Sequence, residues 1–321
     1  MDIREVARHH AHHANTAIDI ASIGDSWSRL QDIVMEDTAL FEDTLLLDIR
    51  GTGTGAIVRV SRPASFSMPG LEERFTVLIS FLQKLPLRSD LRLRVWANLH
   101  DNPQHQALGI PQLAWSSDSR IPPGVALLPN MYAMNGSLQK SINKARFASN
   151  PTNNRVALFA GSDTGLNGGP RHVLTLAAAE RKWLNVHIII AQRGFWSPPG
   201  KCVTKRKLSI AKQARHAYLL TVDGNSASWD RMAWILASRC VPISFRPRCL
   251  NWYDLALQEG VHYLAAESVD DIRDIMYKLN ENEDIREQVV KQGQEFARKW
   301  FSHESIVAYA VELLNSLDRP S

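Results

Sequence analysis

From residue 155 to residue 265 the sequence alternates short apolar runs with amphipathic stretches. RVALF (155–159), VHIIIA (186–191), YLLTV (218–222) and VPISF (241–245) have the length and branched, aromatic character of buried strands. The stretches 171–183, 208–215 and 228–238 between them have helical spacing, and a brief strand is expected at 263–265. Strands joined through helices form a parallel sheet, because only antiparallel neighbours can be linked by a tight turn. Ligands of such sheets sit beyond the carboxyl ends of the strands. Gly161, Gly194 and Gly224 all fall at that edge.

The densest signal is YLLTVDGNSAS (218–228), followed directly by WDRMAWILA. It reads as strand, glycine turn, small hydroxyl-rich loop and helix. A helix start offers unpaired N–H groups and a partial positive charge, which together attract anions. Gly224, Asn225, Ser226, Ala227 and Ser228 are small enough for a phosphate to approach the backbone, and Arg231 adds a formal charge one turn later. The same residues also suit a plain helix cap through Ser226 or Ser228.

At 321 residues the chain is long for one core, and two domains are expected. The boundary is placed at 150, after the basic, Asn- and Ser-rich stretch 136–150. In the first half, TLLLDI (44–49) and AIVRV (56–60) flank Gly51, Gly53 and Gly55 and predict a β-hairpin; the run lacks the spacing of a phosphate loop. Helices are expected at 14–40 and 71–85, with a strand at 91–98. A short helix at 252–259 and two closing helices, 268–281 and 283–316, complete the expectation. The net charge of +4 fits an acidic small ligand, a peripheral contact with an anionic membrane or nucleic acid and selects none of them; a nucleic-acid partner is not expected. Three cysteines without a CxxC indicate neither a zinc site nor a disulfide framework. No signal-peptide-like or membrane-spanning apolar run occurs, so a cytoplasmic protein is expected. The cluster His9, His10, His12 and His13 has no acidic or cysteine partner nearby and reads as a frayed polar terminus.

Several blocks resemble glycosyltransferase family 90, which contains protein O-glucosyltransferases, capsule-associated proteins and lipopolysaccharide-modifying transferases. They are ALFAGSDTGLNGGPRHVL (157–174), AYLLTVDGNSASWDRMAWILASRCVPI (217–243), NWYDLALQEGVHYL (251–264), LNENEDIREQVVKQGQEFARKWFS (279–302) and, earlier, LRVWANLHDNPQ (93–104). The resemblance implies an α/β protein of GT-B type, with two Rossmann-like domains facing a central cleft. Residues 1–150 would form the acceptor side and residues 151–321 the nucleotide-sugar side. It implies inversion at the anomeric carbon with no metal and no other cofactor, and the sequence contains no Asp-x-Asp pair.

The resemblance also assigns roles. The catalytic base falls on Asp101, which would take the proton of the acceptor hydroxyl. A turn aspartate before a proline explains the same residue blandly. Asp118 is the fallback, and His100 lies adjacent. Gly161, Ser162 and Arg171 would meet the donor diphosphate, with Arg171 stabilising the leaving group. The loop from Gly224 to Ser228 would hold the nucleotide, and Arg231 is the least secure donor contact. Where many members read Phe-Arg-Gly-Ser, this chain has Ala160, so one charge is missing. Asp230 stands where the family's arginine would fall, and is expected to point away from the diphosphate. The function expected is transfer of glucose or xylose from a UDP-sugar to a hydroxyl of a surface glycan or lipopolysaccharide. The alternative is a catalytically silent nucleotide-sugar-binding or scaffold protein. Lys201, Lys205 and Arg206 form a basic loop that could touch phosphate, lipid or glycan.

Overall fold

The computed structural model describes residues 1–15, 44–61, 70–100, 111–118, 121, 124–191 and 196–318. The chain is α/β and divides into two compact units: residues 1–135 with 250–256 and 303–321, and residues 136–249 with 257–302. The division therefore departs from a single cut at 150. Residues 136–148 and the last helix each belong to the unit on the other side of that cut.

The first unit is built on a five-stranded sheet in the order β2-β1-β3-β4-β6. Its strands are β1 (Thr44–Gly51), β2 (Ala56–Ser61), β3 (Arg92–Asn98), β4 (Gln112–Ala114) and β6 (Val125–Leu127), with the two-residue β5 (Ser117–Asp118) outside it. β3, β4 and β6 run parallel, whereas β1 is antiparallel to both β2 and β3. The GTGTG run is the turn of the predicted hairpin: Thr52 N–H donates to Gly55 O at 3.0 Å, and Gly53 has φ of 85°. β2 alternates half-buried and exposed residues, as an edge strand with one wet face must.

The amino terminus is not frayed. Ile3–Asn15 is a helix that packs against the helix His303–Leu317 and buries Val6, Ala7, His10, Ala11 and Ala14. The histidine cluster therefore straddles a helix with one apolar face, a pattern hidden by its polar composition. The expected 14–40 helix lies largely outside the described residues. The long closing helix is interrupted: Glu283–Trp300 ends on Phe301, which is buried, and His303–Leu317 follows as a separate helix belonging to the first unit. Of the expected 252–259 helix only a 3-10 turn, Asp254–Ala256, forms.

The second unit is an all-parallel sheet in the order β12-β10-β9-β7-β8. Its strands are β7 (Asn153–Ser162), β8 (Leu184–Ile189), β9 (His216–Val222), β10 (Val241–Phe245) and β12 (Leu264–Ala266); β11 (Cys249–Leu250) lies at the boundary of the units. In chain order this is 2-1-3-4-5, the doubly wound arrangement. β10 is buried at every position, as a strand covered on both faces requires. The basic stretch of the expected boundary is the helix Ser137–Ala148, with Leu138, Ile142 and Ala145 buried at helical spacing. Its Asn and Ser content masked that stripe. Among the described residues no helix is long and apolar enough to cross a membrane.

Candidate active site

In a doubly wound sheet the crossovers from adjacent strands diverge at one place and leave a crevice there. Here that place lies between β7 and β9, which pair directly. The carboxyl end of β7 supplies Gly161 and Ser162 and runs on to Thr164 and Gly165; the end of β9 supplies Val222 and runs on to Asp223 and Gly224. The predicted residues of both blocks are thus brought together.

Arg171, the second residue of the helix Pro170–Ala178, spans the two strand ends. Its Nε and Nη2 donate to Val222 O at 3.2 and 3.0 Å. Its Nη1 donates to Ser162 O at 3.1 Å and to Thr164 Oγ1. Burial lowers its pKa to about 10, against the pull of Asp223 and Asp163. It remains cationic at neutral pH, and most of its fork is committed to strand-end oxygens. Arg171 is therefore first a clasp at the crevice and only second a free donor. The glycines follow from this packing. A Cβ on Gly224 would stand 2.4 Å from Thr164 Oγ1 and 2.8 Å from Arg171 Cζ. Gly165 has φ of 97°, and its N–H donates to Asn225 Oδ1 at 2.9 Å, locking the two loops together. A Cβ on Gly161 would meet the Phe159 ring at 2.7 Å.

The loop after β9 is folded differently from the sequence expectation. The helix begins at Arg231 and has only six residues, Arg231–Leu236. Its N-cap is Asp230, without a side-chain cap bond, so neither Ser226 nor Ser228 caps it. Gly224 N–H is already spent on Ser226 O at 3.0 Å, and Ser228 Oγ donates to Val222 O at 3.1 Å. Ser226 and Ala227 are buried. The loop is an internally bonded turn more than an open ring of N–H donors. Asn225, half-buried, is the loop's polar side chain that reaches across to the β7 loop.

Sequence reasoning passed over Asp223. Its carboxylate accepts the N–H of Arg248 at 2.7 Å and of Cys249 at 3.0 Å, tying the end of β9 to the segment after β10. Burial pushes its pKa up, opposed by those N–H bonds, by Arg171 and by Ser228 N–H. The signal available was an Asp-Gly pair closing an otherwise apolar strand. Asp163 does the same for β8: its Oδ1 accepts Ala191 N–H at 2.6 Å.

Arg231 does not face the crevice edge. It donates to Ala160 O and, at 3.0 Å, to Gln213 Oε1, and its guanidinium lies 5.1 Å from the Phe159 ring centroid and 5.5 Å from that of Trp234. Burial lowers its pKa to about 10, with Arg171 adding to the effect. A guanidinium therefore does reach the backbone at Ala160, although it comes from another element. Asp230 turns toward the helix Ser137–Ala148, where its Oδ2 accepts Ser141 Oγ at 3.5 Å.

Asp101 and Gly194 lie outside the described residues, and so does the side chain of Asp118. His100 is exposed, with its N–H on Asn98 Oδ1 at 2.8 Å. Among the described residues no three His, Cys, Asp or Glu side chains are grouped to hold a metal ion.

No curated protein matches the chain. Among solved structures, it is similar to HepE of Anabaena in complex with UDP-glucose (11% identity, 57% of this chain and 55% of that chain, TM-score 0.38). It is also similar to a glycosyltransferase of Rickettsia africae (8%, 66% and 65%, 0.39) and to TarM (11%, 52% and 36%, 0.36). The chain thus spans between 36% and 65% of the length of these structures. A likeness this distant assigns neither ligand nor reaction. The family comparison is more specific: residues 129–318 match glycosyl transferase family 90. That span is more than half of the chain and contains the whole β7–β9 crevice, and on it the chain belongs to glycosyltransferase family 90.

Proposed function

We propose that the chain transfers a sugar, glucose or xylose first, from a UDP-sugar to a hydroxyl of a surface glycan or lipopolysaccharide, inverting the anomeric carbon and using no metal. The observation that carries this reading is the Arg171 clasp at the crevice between β7 and β9. It sets a half-buried positive charge where a parallel sheet of this order takes its ligand. In this reading the diphosphate lies over the loops 162–165 and 223–228, met by Ser162 and Asn225 in the field of Arg171. The exposed Arg248, whose backbone N–H bonds Asp223, adds a cation at the same edge. These groups stabilise the charge that grows on the departing diphosphate. Asp101 takes the acceptor proton as the hydroxyl oxygen attacks C1.

A silent nucleotide-sugar-binding protein is the second reading, favoured by the commitment of Arg171 and Arg231 to main-chain carbonyls. The experiment is a panel of UDP-, GDP- and CMP-sugars, scored by thermal shift and by free nucleotide released. The proposal expects stabilisation by UDP-sugars, and nucleotide release that disappears in Asp101→Asn while UDP still binds. Stabilisation without release in the parent chain supports the silent reading, and no stabilisation by any nucleotide overturns both.

A further inference from the structure

A groove of about 780 Å³ opens in the second unit between the helix Ser137–Ala148 and the segment 207–213, and its lining includes none of the crevice residues 161–165 and 222–228. Its volume is within the roughly 300–1,000 Å³ usual for ligand sites. Ser141, Lys144 and Phe147 follow one another at i, i+3 and i+6 along one wall, so they form a single stripe on the helix surface. Phe147 is 92% exposed, although Leu138, Ile142 and Ala145 of the same helix are buried. Lys207 stands on the facing wall, and Asp230 and Arg231 close one end. Three cations, Lys144, Lys207 and Arg231, therefore oppose one carboxylate, Asp230.

We propose that this groove binds an anionic glycan chain, at a site separate from the donor crevice. A pyranose ring has an apolar C–H face and a polar hydroxyl edge. An exposed phenyl ring offers the stacking surface for the first, and Ser141 and Asp230 offer hydrogen-bond partners for the second. Lys144 and Lys207 pair with carboxylate or phosphate groups along the chain. A membrane surface uses the same charges but would not reach the half-buried Ser141 and Asp230 between the walls. The choice of a glycan as the anion rests on the proposed function; the existence of the groove does not.

The test is calorimetric titration of the full chain with tetragalacturonate and 6-phosphorylated maltotetraose, with maltotetraose as neutral control and phosphatidylglycerol vesicles as competitor surface. Phe147→Ala is expected to weaken the anionic oligosaccharides about tenfold, the loss of one well-stacked ring. Lys144→Ala with Lys207→Ala is expected to weaken them about as much and to flatten their salt dependence. Both variants change exposed side chains, and UDP affinity should be unchanged. Absence of binding by either anionic oligosaccharide overturns the proposal, as does binding that neither variant alters. Binding to vesicles alone, lost in the lysine variant, assigns the groove to a membrane instead. Failure of the UDP-sugar panel with intact oligosaccharide binding would remove the transferase reading and leave the groove standing.

Discussion

The larger sheets of the two units have, among the described residues, the same number of strands and different uses. In the sheet of the second unit every strand points the same way, so every carboxyl end, and every loop leaving it, lies on one edge. Charge and small residues can be concentrated there, and Arg171, Asp223, Asp163 and three glycines are. In the sheet of the first unit the hairpin β1–β2 reverses direction, and its glycines serve the turn. Gly51 illustrates the contrast: its Cβ would stand 1.8 Å from Arg88 O, a matter of chain packing alone. Glycine-rich sequence therefore has opposite meanings in the two units, and strand direction decides which applies.

Substitutions can break that contrast. Arg171→Met should have the largest effect. It leaves the carbonyls of Ser162 and Val222 without their charged donor and should cost about 3 kcal/mol. Hydrogen exchange should quicken in β7 and β9, UDP binding should be lost, and protection in β1–β3 should persist. Gly224→Ala comes next, at about 2 kcal/mol, because the new methyl collides with Thr164 and the guanidinium. Gly51→Ala is its counterpart: a loss at least as large, because the methyl would meet the Arg88 carbonyl, read as faster exchange in β1 and β2, with UDP affinity retained. Equal loss of UDP binding in Gly51→Ala and Gly224→Ala would erase the distinction between the sheets.

A smaller effect should appear with pH. His187 on β8 and His216 on β9 are held below their ordinary 6.5 by burial, His187 also by His216. Above 6.5 both are neutral, folded or unfolded. As pH falls below 6.5 the unfolded chain takes up protons that the folded chain refuses, so stability declines until the folded values are passed. The urea midpoint should therefore drop as pH falls through the ordinary histidine value, and His187→Gln with His216→Gln should flatten the slope. Smallest of all is Ile57→Thr on the wet face of β2, where 57% exposure leaves little to lose: under about 0.5 kcal/mol by the same urea titration.

The parallel sheet was legible because its strands are buried on both faces and written as unbroken apolar runs: VPISF became β10 at the expected residues. The crevice was legible as a set of residues but not as a set of bonds. Nothing in the one-dimensional pattern shows that Arg171 turns back onto Val222, or that Arg231 reaches Ala160. Those contacts depend on strand order, which brings β9 beside β7 although β8 lies between them in the chain. The helix Ser137–Ala148 was missed because its apolar stripe is only three residues wide amid Asn, Ser and Lys. The first helix was missed because burial of His10 and three alanines leaves little hydrophobic signal.

The central claim is that the β7–β9 crevice is the nucleotide-sugar site. The most direct measurement is amide chemical-shift mapping of the second unit's resonances in the full chain during titration with UDP. The account predicts saturable shifts concentrated in residues 162–165 and 223–228, abolished in Arg171→Met. Shifts centred elsewhere, or a titration that leaves those two loops unmoved, would contradict it.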